Sequence, residues 1–123
     1  MTKKIQVLET KHYLSQLSAF IHKGINKEEF REGIKETISE NPLIGDVIPR
    51  TGGVRKVRYA MPGKGKRGEF RIIYYFYDEI NPVFLITIYP KSKAENITPK
   101  EEKLFAEAVR QLKSSFKNTR YNI

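Results

Sequence analysis

Residues 54–77 read VRKVRYAMPGKGKRGEFRIIYYFY. Two strand-like runs flank a basic, glycine-rich centre, and the order of the three pieces decides the fold class. Val54–Ala60 alternates charged and apolar residues, the period of a strand with one buried face. Glu69–Tyr77 is dense in β-branched and aromatic residues, the composition of a strand packed on a core. Between them Gly63, Gly65 and Gly68 are spaced G-x-G-x-x-G, interleaved with Lys64, Lys66 and Arg67. Such a fingerprint holds a dinucleotide only where it opens a helix, whose N-terminus takes the pyrophosphate. Here a strand follows, and position 88, about 20 residues on, is Ile rather than the acidic ribose contact. The glycines are therefore read as letting the chain turn between two strands, since Gly tolerates φ > 0.

Working outward, Lys4–Leu8 alternates weakly and reads as a short strand. Tyr13, Leu14, Leu17, Phe20 and Ile21 recur at helical spacing, and Gly24 ends that helix. Asn26 with Glu29 three residues on forms a capping pattern for a second helix, whose stripe is Phe30, Ile34 and Ile38. Asn41-Pro42 stops it, and residues 42–53, PLIGDVIPRTGG, read as a loop. After the central pair, Pro82–Tyr89 reads as a third strand of the group, reached through a turn at Asp78–Asn81. Thr98-Pro99-Lys100-Glu101 opens a last helix with Leu104, Phe105, Ala108, Val109 and Leu112 on one face, and residues 117–123 are expected to fray. The order is β-α-α-β-β-β-α. That predicts an α+β fold, one domain over residues 1–123 with a small, mostly antiparallel sheet packed against helices.

The chain has 123 residues, 39% hydrophobic, with seven Tyr and seven Phe, which suits one globular core. It has no cysteine, so disulfide and thiol chemistry are excluded. No apolar run reaches the ~18 residues of a membrane span, and residues 1–9 have no h-region. The expectation is a cytoplasmic protein with no membrane partner.

Net charge is +9, and its placement matters more than its size. Residues 50–71 hold eight basic side chains against one acidic, Glu69, whereas residues 1–49 hold seven of each sign. A local excess of this kind suits a polyanionic partner, nucleic acid first.

Alternation places Lys56 and Arg58 on one side of their strand. Arg71 shares a side with Ile73 and Tyr75, and Tyr89 with Lys91, with Lys93 following if the chain stays extended. One sheet face is thus expected to collect Lys56, Arg58, Arg71, Tyr89 and Lys91. The four cations of this set repel one another unless an anion arrives. They are not metal ligands, and His12 and His22, ten apart on one helix, are too far apart to share an ion; no metal or other cofactor is expected. No Ser-His-Asp or paired-carboxylate arrangement stands out. Lysine, arginine and tyrosine can instead grip phosphates. RNA supplies its own nucleophile, the ribose 2′-OH. A protein need only orient the sugar, move protons and neutralise the charge on the phosphate. Lysine among other cations sheds a proton more readily, arginine supplies charge and a bidentate fork, and tyrosine stacks on a base.

In these same residues the chain resembles the RelE/ParE superfamily of toxins from type II toxin–antitoxin systems, and within it the HigB branch. The resemblance runs from Asn41-Pro42 through GDVIP, GGVRKVRYA, GKGKRGEFRIIYYF and YPKSKAENITP into the last helix. It implies a RelE-like fold and a ribosome-dependent endoribonuclease that cuts mRNA and arrests translation. It also implies a helix-turn-helix, HigA-like antitoxin, with operator DNA reached only through the toxin–antitoxin complex. The family's K-x-K/R falls on Lys56 and Arg58, and its phosphate-stabilising arginine on Arg71. Its basic position after the last strand falls on Lys91, where Lys replaces Arg and the bidentate fork is lost. The tyrosine that some relatives stack on the base aligns with Ile97, leaving Tyr89 as a substitute. Arg55, Lys64, Lys66 and Arg67 are assigned to RNA backbone contact, with Lys93 beside them.

Two other readings fit parts of the pattern. One is a ParE-like toxin that poisons a topoisomerase, a branch that typically lacks the catalytic cations. The other is a non-catalytic basic module that only binds nucleic acid, for which the patch alone suffices.

Overall fold

The computed structural model describes residues 4–21, 24–61, 69–93 and 97–121, with side chains through Phe116. Its elements are β1 (Val7–Glu9), α1 (Lys11–Phe20), α2 (Lys27–Glu40), β2 (Asp46–Val47), β3 (Val54–Ala60), β4 (Glu69–Tyr75), β5 (Val83–Pro90) and α3 (Pro99–Tyr121). The five strands form one sheet in the order β1-β5-β4-β3-β2. β1 runs parallel to β5, and the other neighbours are antiparallel. This is the expected α+β architecture.

Local chemistry sets the helix starts. Thr10 caps α1 by accepting from the Tyr13 N–H at 3.1 Å, and its hydroxyl donates to the Leu85 carbonyl at 2.8 Å, tying the helix to β5. Asn26 caps α2 by accepting from the Glu29 N–H, and Glu28 and Glu29 in the first turn suit the positive end of the helix dipole. A reciprocal capping box joins Thr98 and Glu101 at the start of α3. Asp78 accepts from the backbone N–H groups of Ile80 and Asn81, which closes the expected turn before β5.

The sheet is covered on both faces. Tyr13, Leu17, Phe30, Ile34 and Ile38 of α1 and α2 pack on Phe70, Ile72, Tyr74, Leu85 and Ile88. On the other face Phe105, Val109 and Phe116 of α3 pack on Val54, Ile73 and Tyr75. Both apolar sets of β4 are thus buried, which is why EFRIIYYFY lacks a clean alternation. A register shift follows Ile73: it pairs with Thr87, while Tyr74 pairs with Leu85, leaving Ile86 as the bulged residue. Ile86 joins the α3-side core.

Three expectations change. The stretch 42–53 is not all loop: Asp46 and Val47 pair with Lys56 and Arg55 as a short edge strand. The hydroxyl of Tyr74 holds this stretch, accepting from the Gly45 N–H at 2.8 Å and donating to the Pro42 carbonyl at 2.7 Å. A helix signal cannot reveal a strand of two residues held by a phenol 29 positions away in the chain. The first strand is Val7–Glu9, set by its partner in β5 rather than by the weak pattern at Lys4–Leu8. The last helix runs on to Tyr121, past the point where fraying was expected.

Candidate phosphate-binding site

Strand pairing brings four of the expected residues together. Arg58 stands opposite Arg71 across β3 and β4, and Arg71 stands opposite Tyr89 across β4 and β5. Lys91 follows β5, and its N–H donates to the Glu69 carbonyl at 3.2 Å, so it is held opposite Glu69. Lys56 is one alternation below Arg58 on the same face. The core under α3 takes the half of this face bearing Val54, Ile73 and Tyr75; the other half carries the cations.

The charge balance has a member that the expected set lacks. One oxygen of Glu69 accepts from the Arg71 guanidinium at 2.9 Å and lies 4.0 Å from the Arg58 side chain. The other lies 3.9 Å from the Lys91 ammonium. The anion needed to hold these cations together is therefore already part of the chain. The Arg71 hydrogen bond, helped by attraction to Lys91 and Arg58, keeps the Glu69 carboxyl below its ordinary range against a smaller opposing effect of desolvation. Side-chain exposure grades outward from the carboxylate: 12% for Arg71, 47% for Lys91 and 74% for Arg58. A sequence signal for Glu69 exists. It is the one acid in residues 50–71 and stands two before Arg71, so alternation puts both on the same face.

Lys56 stands apart from this cluster. It pairs with Asp46 across β2 and β3, and it lines a cleft of about 270 Å³ with Pro49, Ile97 and Glu102 among its other walls. Glu102 is fixed by Arg50, at 2.8 Å. Arg50 has φ of 65°, left-handed backbone in a turn that ends at Gly52 and Gly53, both also at positive φ.

The remaining candidates lie elsewhere. Arg55 is on the opposite side of β3, where its guanidinium donates to the Gly45 carbonyl at 2.7 Å and helps to pin the 42–47 stretch. Tyr89 lies beside Arg71, but its ring packs on the α3-side core and its hydroxyl is buried without a hydrogen bond among the described residues. Burial raises its pKa, and Glu101 adds to that while Arg71 opposes it. The chain turns after Pro90, with the Lys93 N–H donating to the Pro90 carbonyl at 3.0 Å. The Lys93 ammonium then lies over the Phe20 ring, 5.6 Å from its centre, and does not join the cluster. Lys64, Lys66 and Arg67 lie outside the described residues. Glu69 opens a strand, so no helix follows the glycines.

Among the described residues no group of three His, Cys, Asp or Glu side chains comes together in a way that could hold a metal ion, and no helix is long and apolar enough to cross a membrane. What the face offers is three cationic side chains about one carboxylate, one of them hydrogen-bonded to it, an arrangement that suits an anion with several oxygens, such as a phosphate.

A family model described as the RelE toxin of the RelE/RelB toxin–antitoxin system matches residues 15–120. The chain is also similar in fold to a solved structure of a double-arginine mutant of the E. coli toxin RelE in its free state. The two share 16% sequence identity over 76% of this chain and 90% of that one, with a TM-score of 0.52. With the α+β sheet and the matched length in hand, the chain belongs to the RelE family of toxin–antitoxin toxins.

Proposed function

We propose that this chain is a ribosome-dependent mRNA endonuclease of the HigB-like kind, acting without a metal through its Lys and Arg side chains. The observation that carries the reading is the convergence of Arg58, Arg71 and Lys91 around the Glu69 carboxylate, with Lys56 one alternation away on the same sheet face. In the reaction the ribose 2′-OH attacks the adjacent phosphorus. The 2′ proton leaves, a cyclic phosphate forms, and the 5′ oxygen departs with a proton. Arg71 and Arg58 neutralise the charge that grows on the equatorial oxygens. Arginine stays protonated, so proton transfer falls to Lys56 and Lys91, on either side of the two arginines. Lys91 serves as a point charge and donor where an arginine would have presented a fork. Tyr89 forms a wall beside Arg71, and Lys64, Lys66 and Arg67 are proposed to meet the RNA or ribosomal backbone.

Among the described residues the site has neither a histidine pair nor a pair of carboxylates to act as a strong acid–base couple. Its efficiency then depends on the ribosome to align the message, and naked RNA is a poor substrate. The partners in this reading are the ribosome with its mRNA and a HigA-like helix-turn-helix antitoxin, through which alone the toxin reaches operator DNA. The test is induction in cells with mapping of mRNA 5′ ends. New codon-linked ends together with arrested translation are expected. Intact mRNA with DNA damage would replace this reading with topoisomerase poisoning, and intact mRNA without damage would leave only binding.

A further inference from the structure

We infer that Glu69 is an internal stand-in for the substrate phosphate: its carboxylate organises Arg58, Arg71 and Lys91 in the free protein and, staying in place, opposes a phosphodiester that comes to the same cations. This rests on reading the face as a phosphate site, and it adds a residue that sets how strongly the site holds RNA.

Three observations carry it. First, the carboxylate uses both oxygens, one toward Arg71 and Arg58 and one toward Lys91, much as a phosphate spreads its oxygens among donors. Second, the contacts are graded. Only the Arg71 contact has hydrogen-bond length, at 2.9 Å, while those to Arg58 and Lys91 are 4.0 and 3.9 Å. The last two cations are therefore the ones that can turn to an incoming anion without breaking a hydrogen bond. Third, the arrangement rests on the strand itself. Glu69 and Arg71 are i and i+2 on β4, Arg58 is the cross-strand partner of Arg71, and the backbone of Lys91 is bonded to that of Glu69. The carboxylate cannot withdraw far while β4 stays paired.

A phosphodiester bound to these cations would sit beside a like charge, and two like charges about 4 Å apart near a surface repel appreciably. Glu69 thus weakens the hold on any loose polyanion. A message pressed into place by the ribosome supplies the binding energy that overcomes it. The same carboxylate offsets the repulsion between Arg58 and Arg71, which face each other directly across the strand pair.

The experiment measures binding of a short 2′-O-methyl RNA oligonucleotide, which cannot be cut, to purified protein across a salt series. Glu69→Gln keeps an oxygen for Arg71 and removes the charge. It is expected to bind about five- to tenfold more tightly at low salt, with a log–log salt slope steeper by about 0.7. Glu69→Asp, whose shorter side chain draws the carboxylate away from Arg58 and Lys91, is expected to fall between. Glu107→Gln removes the same charge from an exposed pair with Arg110 on α3 and is expected to change binding less than about twofold. Unchanged or weaker binding by Glu69→Gln overturns the inference, as does an equal gain from Glu107→Gln. No ribosome or cleavage enters this assay, so its failure is separate from a failure to find cut mRNA in cells.

Discussion

Arg58 and Arg71 are direct cross-strand partners on β3 and β4, and one oxygen of Glu69 lies 2.9 Å from Arg71 and 4.0 Å from Arg58. Like charges placed directly opposite in a sheet destabilise it. A third group on the same face, the Glu69 carboxylate, offsets part of that cost.

Arg71 is the most enclosed of the three cations around Glu69, so among them its loss is expected to be the most damaging to cleavage. Arg71→Ala should lower the rate on programmed ribosomes by about 10²- to 10³-fold, the usual effect of removing one preorganised charge from a transition state. Arg71→Lys should recover only part of it, because an ammonium has no fork. A single-turnover cleavage assay reads both.

Lys56→Ala should separate activity from stability. Lys56 lies outside the Glu69 cluster and lines an open cleft. Its truncation is expected to slow cleavage by about 10²-fold or more if it moves a proton, with unfolding free energy shifted by no more than about 0.5 kcal/mol. Paired urea titrations and cleavage rates decide it.

Tyr74→Phe and Arg55→Ala should act on stability. Tyr74→Phe leaves the Gly45 N–H and the Pro42 carbonyl without their partner, a loss of about 1–3 kcal/mol. Arg55→Ala releases the Gly45 carbonyl and is expected to cost about 1–2 kcal/mol while leaving the affinity for 2′-O-methyl RNA within about twofold. A large loss of RNA affinity would return Arg55 to the nucleic-acid surface. Gly45→Ala should also destabilise, because a Cβ there would lie 2.9 Å from the Lys56 carbonyl and from the buried Tyr74 ring.

Acid should weaken the fold in part through Glu9. Burial opposes its ionisation, but hydrogen bonds and attraction from Arg31 and Lys35 outweigh burial and hold its pKa below 4.5. A carboxyl depressed in the folded state contributes its full stability above the unfolded pKa, and that contribution is lost as pH falls through the folded value. Urea unfolding followed from pH 6 downward should therefore show a shallower acid loss in Glu9→Gln than in the parent protein. An unchanged acid slope would assign the loss to other carboxyls.

Much of the fold and of the site was legible because the signals are local. The capping residues Thr98 and Asn26, the helical stripes of α1 and α2, and the alternation in Val54–Ala60 each depend on a few neighbouring residues. Alternation alone placed Lys56 with Arg58. What could not be read locally falls where a distant partner decides. Arg55 looked like one more cation in a basic run until Gly45 claimed its guanidinium. Lys93 continued the β5 alternation on paper, but the chain turns at Pro90 and the lysine goes to Phe20. The two residues of β2 carry no pattern long enough to read.

The sequence by itself determined which residues share a strand face, where the second and third helices begin, and that one short stretch holds most of the net positive charge. Period and capping act within a few residues, so no tertiary information is needed. Only the tertiary structure decided that Arg58 meets Arg71, that Lys91 is held against Glu69, and that α3 packs on the part of this face bearing Val54, Ile73 and Tyr75. Register and helix placement come from contacts between residues far apart in the chain. Glu69 belongs to both levels. Its side of the strand follows from its position two before Arg71, and its place among three cations follows from the pairing of three strands.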